Sequence, residues 1–289
     1  NLQQIGDSCF YNCPLLRSID CDLGPDKFAC NGCDGCPVCY HETNECLQRG
    51  RSGQQEEDGE IDQQTVDKAL LKYQVGVTVQ QALDAEEGQI INECLILKEE
   101  LYRPGAFYES KDFKSVIALR LRHVSKNMFN SVENLVTVVM PEAVGVMWSS
   151  FKKTNIQNCF FPKLVNIDSC AFQQCQIKEL NAKNFPLLSN IEENGFSHTP
   201  ITSIKLPNLI FVGGCGFRNC IELEWFSAPK LQQIGESCFH NCQLLQNIDC
   251  DLDPVQFKCV GCYECPSCKK ELPQCLTRGT APRKLKQAR

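Results

Sequence analysis

Between residues 106 and 250 the apolar positions follow a pattern that repeats and changes its own period within each repeat. One segment reads Φ-x-x-Φ-x-Φ, where Φ is apolar, and its last three positions alternate as a half-buried strand requires. Its occurrences begin at Val116, Leu135, Ile156, Ile177, Ile201, Leu223 and Leu245, separated by 19, 21, 21, 24, 22 and 22 residues. Several end at a proline (Pro141, Pro162, Pro207, Pro229), where the missing N–H closes a strand ladder harmlessly. A second segment, Leu-x-x-Ile-x-x-x-x-Phe-x-x-Cys, fills the interval. It is seen at Leu164–Ile167–Phe172–Cys175, Leu209–Val212–Phe217–Cys220 and Leu231–Ile234–Phe239–Cys242, with Leu188–Ile191–Phe196–Thr199 as a departure. A period of this length predicts a solenoid of stacked coils with one strand per coil. The phenylalanine at a fixed offset predicts an internal aromatic ladder.

Residues 50–105 break this pattern. The run from Gln54 to Gln64 is polar and acidic, a linker composition with too little apolar surface to fold alone. Apolar residues then return at helical spacing over Thr65–Tyr73 and Val79–Leu101, with Gly88 interrupting the second run. This stretch reads as helices or as degenerate coils that open the array. Pro104-Gly105 is a turn, and Ala106-Phe107 is the first recognisable coil element.

A longer period overlies the short one. Residues 2–50 recur at 231–279, an offset of 229, with 30 of 49 positions identical. Both copies carry the end of a coil array followed by a cysteine module: Cys21, Cys30, Cys33, Cys36, Cys39 and Cys46, then Cys250, Cys259, Cys262, Cys265, Cys268 and Cys275. An even six permits three disulfides in fifteen connectivities, and a solenoid end needs covering because it exposes apolar ladder and strand edges. The modules are therefore read as disulfide-stapled caps without a metal or other cofactor. The alternative is zinc at the same cysteines, or an iron–sulfur cluster. Only two residues separate the two Cys-x2-Cys knuckles, which cramps a tetrahedral site, and the spacing departs from the iron–sulfur run. Within the coils, Cys13, Cys175, Cys220 and Cys242 occupy a small slot suited to a buried free thiol. Cys9, Cys215 and Cys238 could pair or stay reduced, and Cys94 and Cys159 have no evident partner.

The coil signature resembles the BspA-type leucine-rich repeats, whose units read roughly LxxIxxxAFxxCxxLxxIxLP. The resemblance implies a mostly-β, α/β-like repeat, a leucine-rich solenoid with a curved parallel sheet, here with small cysteine-rich caps. It also implies cell-surface adhesion and binding to a host or matrix partner. The expected organisation is the end of a first array at 1–23 and a cysteine module at 21–49. A linker follows at 50–105, then a second array at 106–250, its module at 250–279 and a basic tail at 280–289. On that fold the outward strand positions form the concave face. They are Val136, Thr137 and Val139; Gln157, Asn158 and Phe160; Lys178, Glu179 and Asn181; Thr202, Ser203 and Lys205; Glu224, Trp225 and Ser227; and Gln246, Asn247 and Asp249. Phe160 and Trp225 are the expected contact anchors, since aromatic side chains dominate interface energetics.

Charge and motifs remove other classes. The net charge is −6, and no basic face exists to neutralise phosphates, so nucleic acid is not the expected partner. The best apolar run, Leu135–Trp148, is broken by Pro141 and Glu142 and is too short to span a membrane. His41, His123, His198 and His240 are scattered, with no nucleophile and orienting acid at meaningful spacing. Gly213-Gly214-Cys215-Gly216 lies in a coil turn, where glycine is expected to supply positive φ rather than cradle phosphate. The sequence thus predicts a non-catalytic, extracellular or surface-displayed chain that binds a protein or glycan. The alternative is a cytoplasmic metal-binding scaffold for protein interaction.

Overall fold

The computed structural model describes residues 62–245 and 247–252. The chain winds as a parallel β-solenoid whose coils contribute to two faces. The longer strands are β2 (Cys94–Leu97), β3 (Ser115–Ala118), β5 (Thr137–Val139), β7 (Asn158–Phe160), β9 (Glu179–Asn181), β11 (Ser203–Lys205), β13 (Trp225–Ser227) and β15 (Asn247–Asp249). Two-residue strands line the second face: β4 (His123–Val124), β6 (Gly145–Val146), β8 (Asn166–Ile167), β10 (Asn190–Ile191), β12 (Phe211–Val212) and β14 (Gln233–Ile234). They pair in register into one six-stranded sheet.

The centre of each long strand points inward, so Val138, Cys159, Leu180, Ile204, Phe226 and Ile248 are all buried. The flanking residues point outward, as the period of two demands. The other inward side is the aromatic ladder. Phe107, Phe129, Phe151, Phe172, Phe196, Phe217 and Phe239 stack ring on ring, with successive centroids 5.4, 5.4, 5.1, 5.1, 6.0 and 6.0 Å apart. Six of these seven rings are fully or almost fully buried, and Phe113, Phe161 and Phe226 meet the stack edge-on.

Each ladder phenylalanine sits between two residues in the left-handed region. Asn127 and Ser131 flank Phe129, Cys170 and Gln174 flank Phe172, and Cys215 and Asn219 flank Phe217, all with φ between 53° and 63°. This double turn aims three backbone N–H groups per coil at the next coil. Cys170, Phe172 and Gln174 donate to the carbonyls of Glu193, Gly195 and Ser197 at 2.9, 2.9 and 3.0 Å. The glycines at 213–216 do not supply the positive φ; Cys215 does. Gly213 is needed for another reason, because a Cβ there would lie 2.6 Å from the Glu193 backbone nitrogen.

The segment before the coils is folded from residue 62 onward. Helix α1 (Gln63–Lys72) is capped by the Asp62 side chain, which accepts from the Thr65 N–H at 3.2 Å. Helix α2 (Val79–Asp84) begins with a capping box between Thr78 and Gln81, and the Asp67 carboxylate accepts from Val79 N–H at 2.9 Å, joining the two. The second apolar run is not helical past residue 84. Gly88 turns the chain with φ +74°, and β1 (Ile90–Ile91) pairs antiparallel with β2. Cys94–Leu97 is apolar throughout because β2 is buried on both faces.

Both faces are buried because α1 and α2 lie on the outer side of the first strands. Val66, Leu70, Val75, Val77, Val79 and Ala82 form a second core with Ile96, Ile117, Leu119 and Val139. The long-strand sheet is divided at the far edge of this helical cover. One sheet runs β1-β2-β3-β5-β7 and another β9-β11-β13-β15. Just past β9 the coil carries three extra residues, Ala182, Lys183 and Asn184, the reason for the 24-residue spacing from Ile177 to Ile201. The Tyr73 hydroxyl, at the C-cap of α1, donates across the gap to Cys159 O at 3.1 Å and lies 3.4 Å from Asn184 Oδ1. Burial pushes its pKa up to about 12.

Two outcomes are expected. Phe172→Ala removes one ring from the middle of the stack and costs about 3–5 kcal/mol in urea unfolding. Tyr73→Phe costs about 1 kcal/mol and raises hydrogen exchange at Asn158–Phe160 before it changes exchange at β13.

Candidate functional site

The residues expected on the strand face divide into a covered group and an open group. Over β5 and β7 the helices sit on the face: Thr137 is 3% exposed and Val139 fully buried, so neither is available to a ligand. Val136 is half-buried, and the Asn158 amide donates to the Thr137 hydroxyl at 3.3 Å. Phe160, expected as an anchor, packs against the core beneath α1. Alternation predicted its direction correctly, but a neighbouring element occupies the space it points into. Gln157 remains exposed at the strand's start.

From β9 onward the face is open. Lys178, Glu179, Lys205 and Glu224 are exposed, and Asn181, Thr202, Ser203, Trp225, Ser227 and Asp249 are partly so. Parallel pairing arranges them in two rows. Glu179, Ser203, Trp225 and Asn247 stand opposite one another in the first; Asn181, Lys205, Ser227 and Asp249 form the second. Gln246 lies outside the described residues.

Glu179, Asn181, Ser203, Lys205, Trp225, Ser227 and Asp249 of these rows floor a groove of about 650 Å³. Leu206, Pro207 and Pro229, just past the strands, form its wall, and Ala182 and Lys183 of the three-residue insertion bound it at the β9 end. The insertion is held in shape by Asn181, whose Oδ1 accepts from the backbone N–H groups of Lys183 and Asn184 at 3.0 and 3.3 Å. Across the groove the Ser227 hydroxyl donates to Asp249 Oδ2 at 2.9 Å, orienting the carboxylate. The wall and the insertion were not foreseen from the sequence, although the longest coil interval, from Ile177 to Ile201, marks the insertion's place.

The coil cysteines form a separate, internal feature. Cys175, Cys220 and Cys242 are fully buried three residues after their ladder phenylalanine. Each donates to the phenylalanine carbonyl of the preceding coil: to Phe151 O at 2.9 Å, Phe196 O at 3.2 Å and Phe217 O at 3.1 Å. Thr154 and Thr199 fill the same slot in alternate coils, their hydroxyls donating to Phe151 O and Phe196 O at 2.8 Å. In these five coils the slot holds a small side chain with one proton to give, whereas in the coil of Phe129 it is filled by the buried Val132. Burial pushes the thiols of Cys159 and Cys175 up to about 12 and Cys220 up to about 11. Cys94, also buried, is raised to about 12, whereas Cys170 and Cys215 lie nearer the surface.

Of the twelve module cysteines only Cys250 is among the described residues, as a buried free thiol; the other eleven, with Cys9 and Cys13, fall outside them. Among the described residues there is no cluster of metal-ligating side chains and no helix long and apolar enough to cross a membrane. His198 belongs to a surface ladder of amides, where Asn219 Nδ2 contacts its Nε2 at 3.0 Å and Asn241 Nδ2 donates to Asn219 Oδ1 at 2.9 Å. The His123 ring packs against Gly145 on the paired strand, with Nδ1 2.9 Å from where a Cβ would stand.

In-register coils, an inward leucine and isoleucine column and one open strand face define a leucine-rich repeat solenoid. The chain belongs to the BspA type leucine-rich repeat family, which it matches in six copies over residues 1–31, 102–178 and 189–270. That family makes it a repeat scaffold suited to protein interaction, of a kind generally without catalysis. Similar solved structures include a leucine-rich repeat protein from Bacteroides ovatus ATCC 8483, at 17% identity and TM-score 0.41, covering 56% of this chain and 50% of that one. A leucine rich cell surface protein from Faecalibacterium prausnitzii A2-165 shows 20% identity and TM-score 0.35, covering 58% and 55%. A leucine-rich repeat protein from Eubacterium ventriosum ATCC 27560 shows 12% identity and TM-score 0.30, covering 53% and 65%. The chain thus spans about half the length of the first two. No curated protein matches it significantly.

The raised thiols carry a pH prediction. A thiol with a folded pKa above its unfolded value stabilises the fold fully below about pH 9, and that contribution is lost as pH rises toward 11–12. Urea stability should fall above pH 9 with a slope of up to about 1.4 kcal/mol per pH unit for each buried thiol. Cys175→Thr should flatten that slope.

Proposed function

We propose that this chain is a non-catalytic recognition protein, secreted or displayed at a cell surface, that binds a protein or glycan partner through the open strand face over β9–β15. One observation carries the reading. The strand face, covered by helices over the first coils, is left open over the later ones, where it forms a groove around a partly exposed tryptophan. Open grooves with a central aromatic anchor and a polar rim are the sites at which few residues supply most of the binding energy. Trp225 is the anchor, and Lys178, Glu179, Lys205 and Glu224 set specificity at the rim. The cysteine modules serve, in this reading, as disulfide caps without metal, in keeping with an oxidising location.

Two measurements test it. Binding of the chain to an immobilised panel of extracellular matrix glycoproteins should weaken by about tenfold or more in Trp225→Ala, with the circular dichroism spectrum and melting curve unchanged. Binding that is indifferent to Trp225→Ala and Lys205→Glu together would show that the face is not the site. Alkylation of the unreduced, denatured chain should spare most of the module cysteines, Cys250 being a free thiol in the structure, with no bound metal. Complete alkylation with stoichiometric zinc or iron would overturn the cap assignment and the external location.

A further inference from the structure

The chemistry of the groove narrows its ligand further. We infer that the surface around Trp225 is a carbohydrate site that takes a short stretch of neutral, hydroxyl-rich glycan; this rests on the recognition reading above. Four observations carry it.

The first is the identity of the side chains that surround the indole. Ser203 stands beside Trp225 on the neighbouring strand, and Lys205, Ser227 and Asp249 stand in the next row. Strands lie about 4.8 Å apart and same-face residues about 6.6 Å apart along a strand, so all of these groups fall around a single sugar ring laid on the indole. They are hydroxyl, carboxylate and ammonium groups, which between them donate to and accept from adjacent hydroxyls. Asp249 is already oriented by the Ser227 hydroxyl at 2.9 Å, so one carboxylate oxygen is fixed before any ligand arrives.

The second is charge. Glu179 and Asp249 are balanced by Lys183 and Lys205, all lining the same groove. A polyanion or a strongly basic peptide would meet like charge in this interleaved arrangement, whereas a neutral polyol meets none. The third is the backbone. The groove lies on the face of a sheet whose central strands, β11 and β13, are paired on both sides, so a peptide laid over that face cannot pair with them as an extra strand. The fourth is size and shape. The groove holds about 650 Å³ and is bounded at one end by Ala182 and Lys183, which suits a compact ligand. Trp225, Pro207 and Pro229 supply the apolar surface on which the C–H face of a sugar packs.

The test is titration of the full chain with neutral trisaccharides (maltotriose, cellotriose, laminaritriose and chitotriose), followed by calorimetry and by indole fluorescence. Trp148 sits outside the groove with Lys126 Nζ 4.8 Å from its ring, so Trp148→Phe leaves Trp225 as the reporter and should leave binding unchanged. The expected result is saturable binding of at least one trisaccharide, with affinity falling by about tenfold or more in Trp225→Ala and partly retained in Trp225→Phe. Asp249→Asn should weaken it as well. Sugar binding that survives Trp225→Ala overturns the inference. So does an absence of binding across the panel when enzymatically deglycosylated matrix protein still binds through Trp225; the groove is then a peptide site, and the recognition reading stands. Indifference of both ligands to Trp225→Ala overturns both.

Discussion

The solenoid depends on the close repetition of one turn. A phenylalanine between two left-handed residues places its ring over the ring of the coil before it, 5.1–6.0 Å away, while three N–H groups reach the carbonyls of the next coil. Ring contact and backbone pairing share one rise, so neither can be relaxed without the other. A ladder of stacked rings gains dispersion and burial together, and the left-handed residues give the backbone the direction it needs to donate outward from the coil. The asparagines among them, Asn127, Asn194, Asn219 and Asn241, accept that conformation at little cost. Cys170 and Cys215 adopt it too, which shows that coil stacking overrides the local preference.

The small slot behind the ladder follows from the same constraint. The turn leaves a phenylalanine carbonyl inside the coil, and an unpaired buried carbonyl costs more than a pairing gains. Cysteine and threonine are both small side chains that can donate there, and the chain uses both, at Thr154 and Thr199 and at Cys175, Cys220 and Cys242. These thiols are structural donors.

Much of this was legible in one sequence because each coil repeats the same local problem. Seven copies of an alternating segment show which strand residue points inward, and Phe172, Phe217 and Phe239 fall at one offset, so their stacking follows. The helical lid was less legible. Its apolar spacing was visible at Val66 and Leu70, yet nothing local says where an amphipathic helix will lie. Cys94–Leu97, apolar at every position, was the clearest sign of a strand covered on both faces, although the spacing around it left helix and degenerate coil both open. The groove's wall was hidden for a related reason: Pro207 and Pro229 read as strand terminators, and their second role exists only when neighbouring coils place them side by side.

The sequence by itself determined the coil period, the inward column, the ladder and the outward direction of each strand-face residue, since these follow from backbone alternation and from repetition. Only the tertiary structure decided which outward residues meet solvent. Thr137, Val139, Phe160 and Trp225 all occupy outward-facing positions at the ends of their strands, yet the first three lie under or against helices that precede them by dozens of residues, and Trp225 does not. Direction is a property of the strand. Exposure is a property of everything packed on it, and that is settled by contacts between segments distant in the chain.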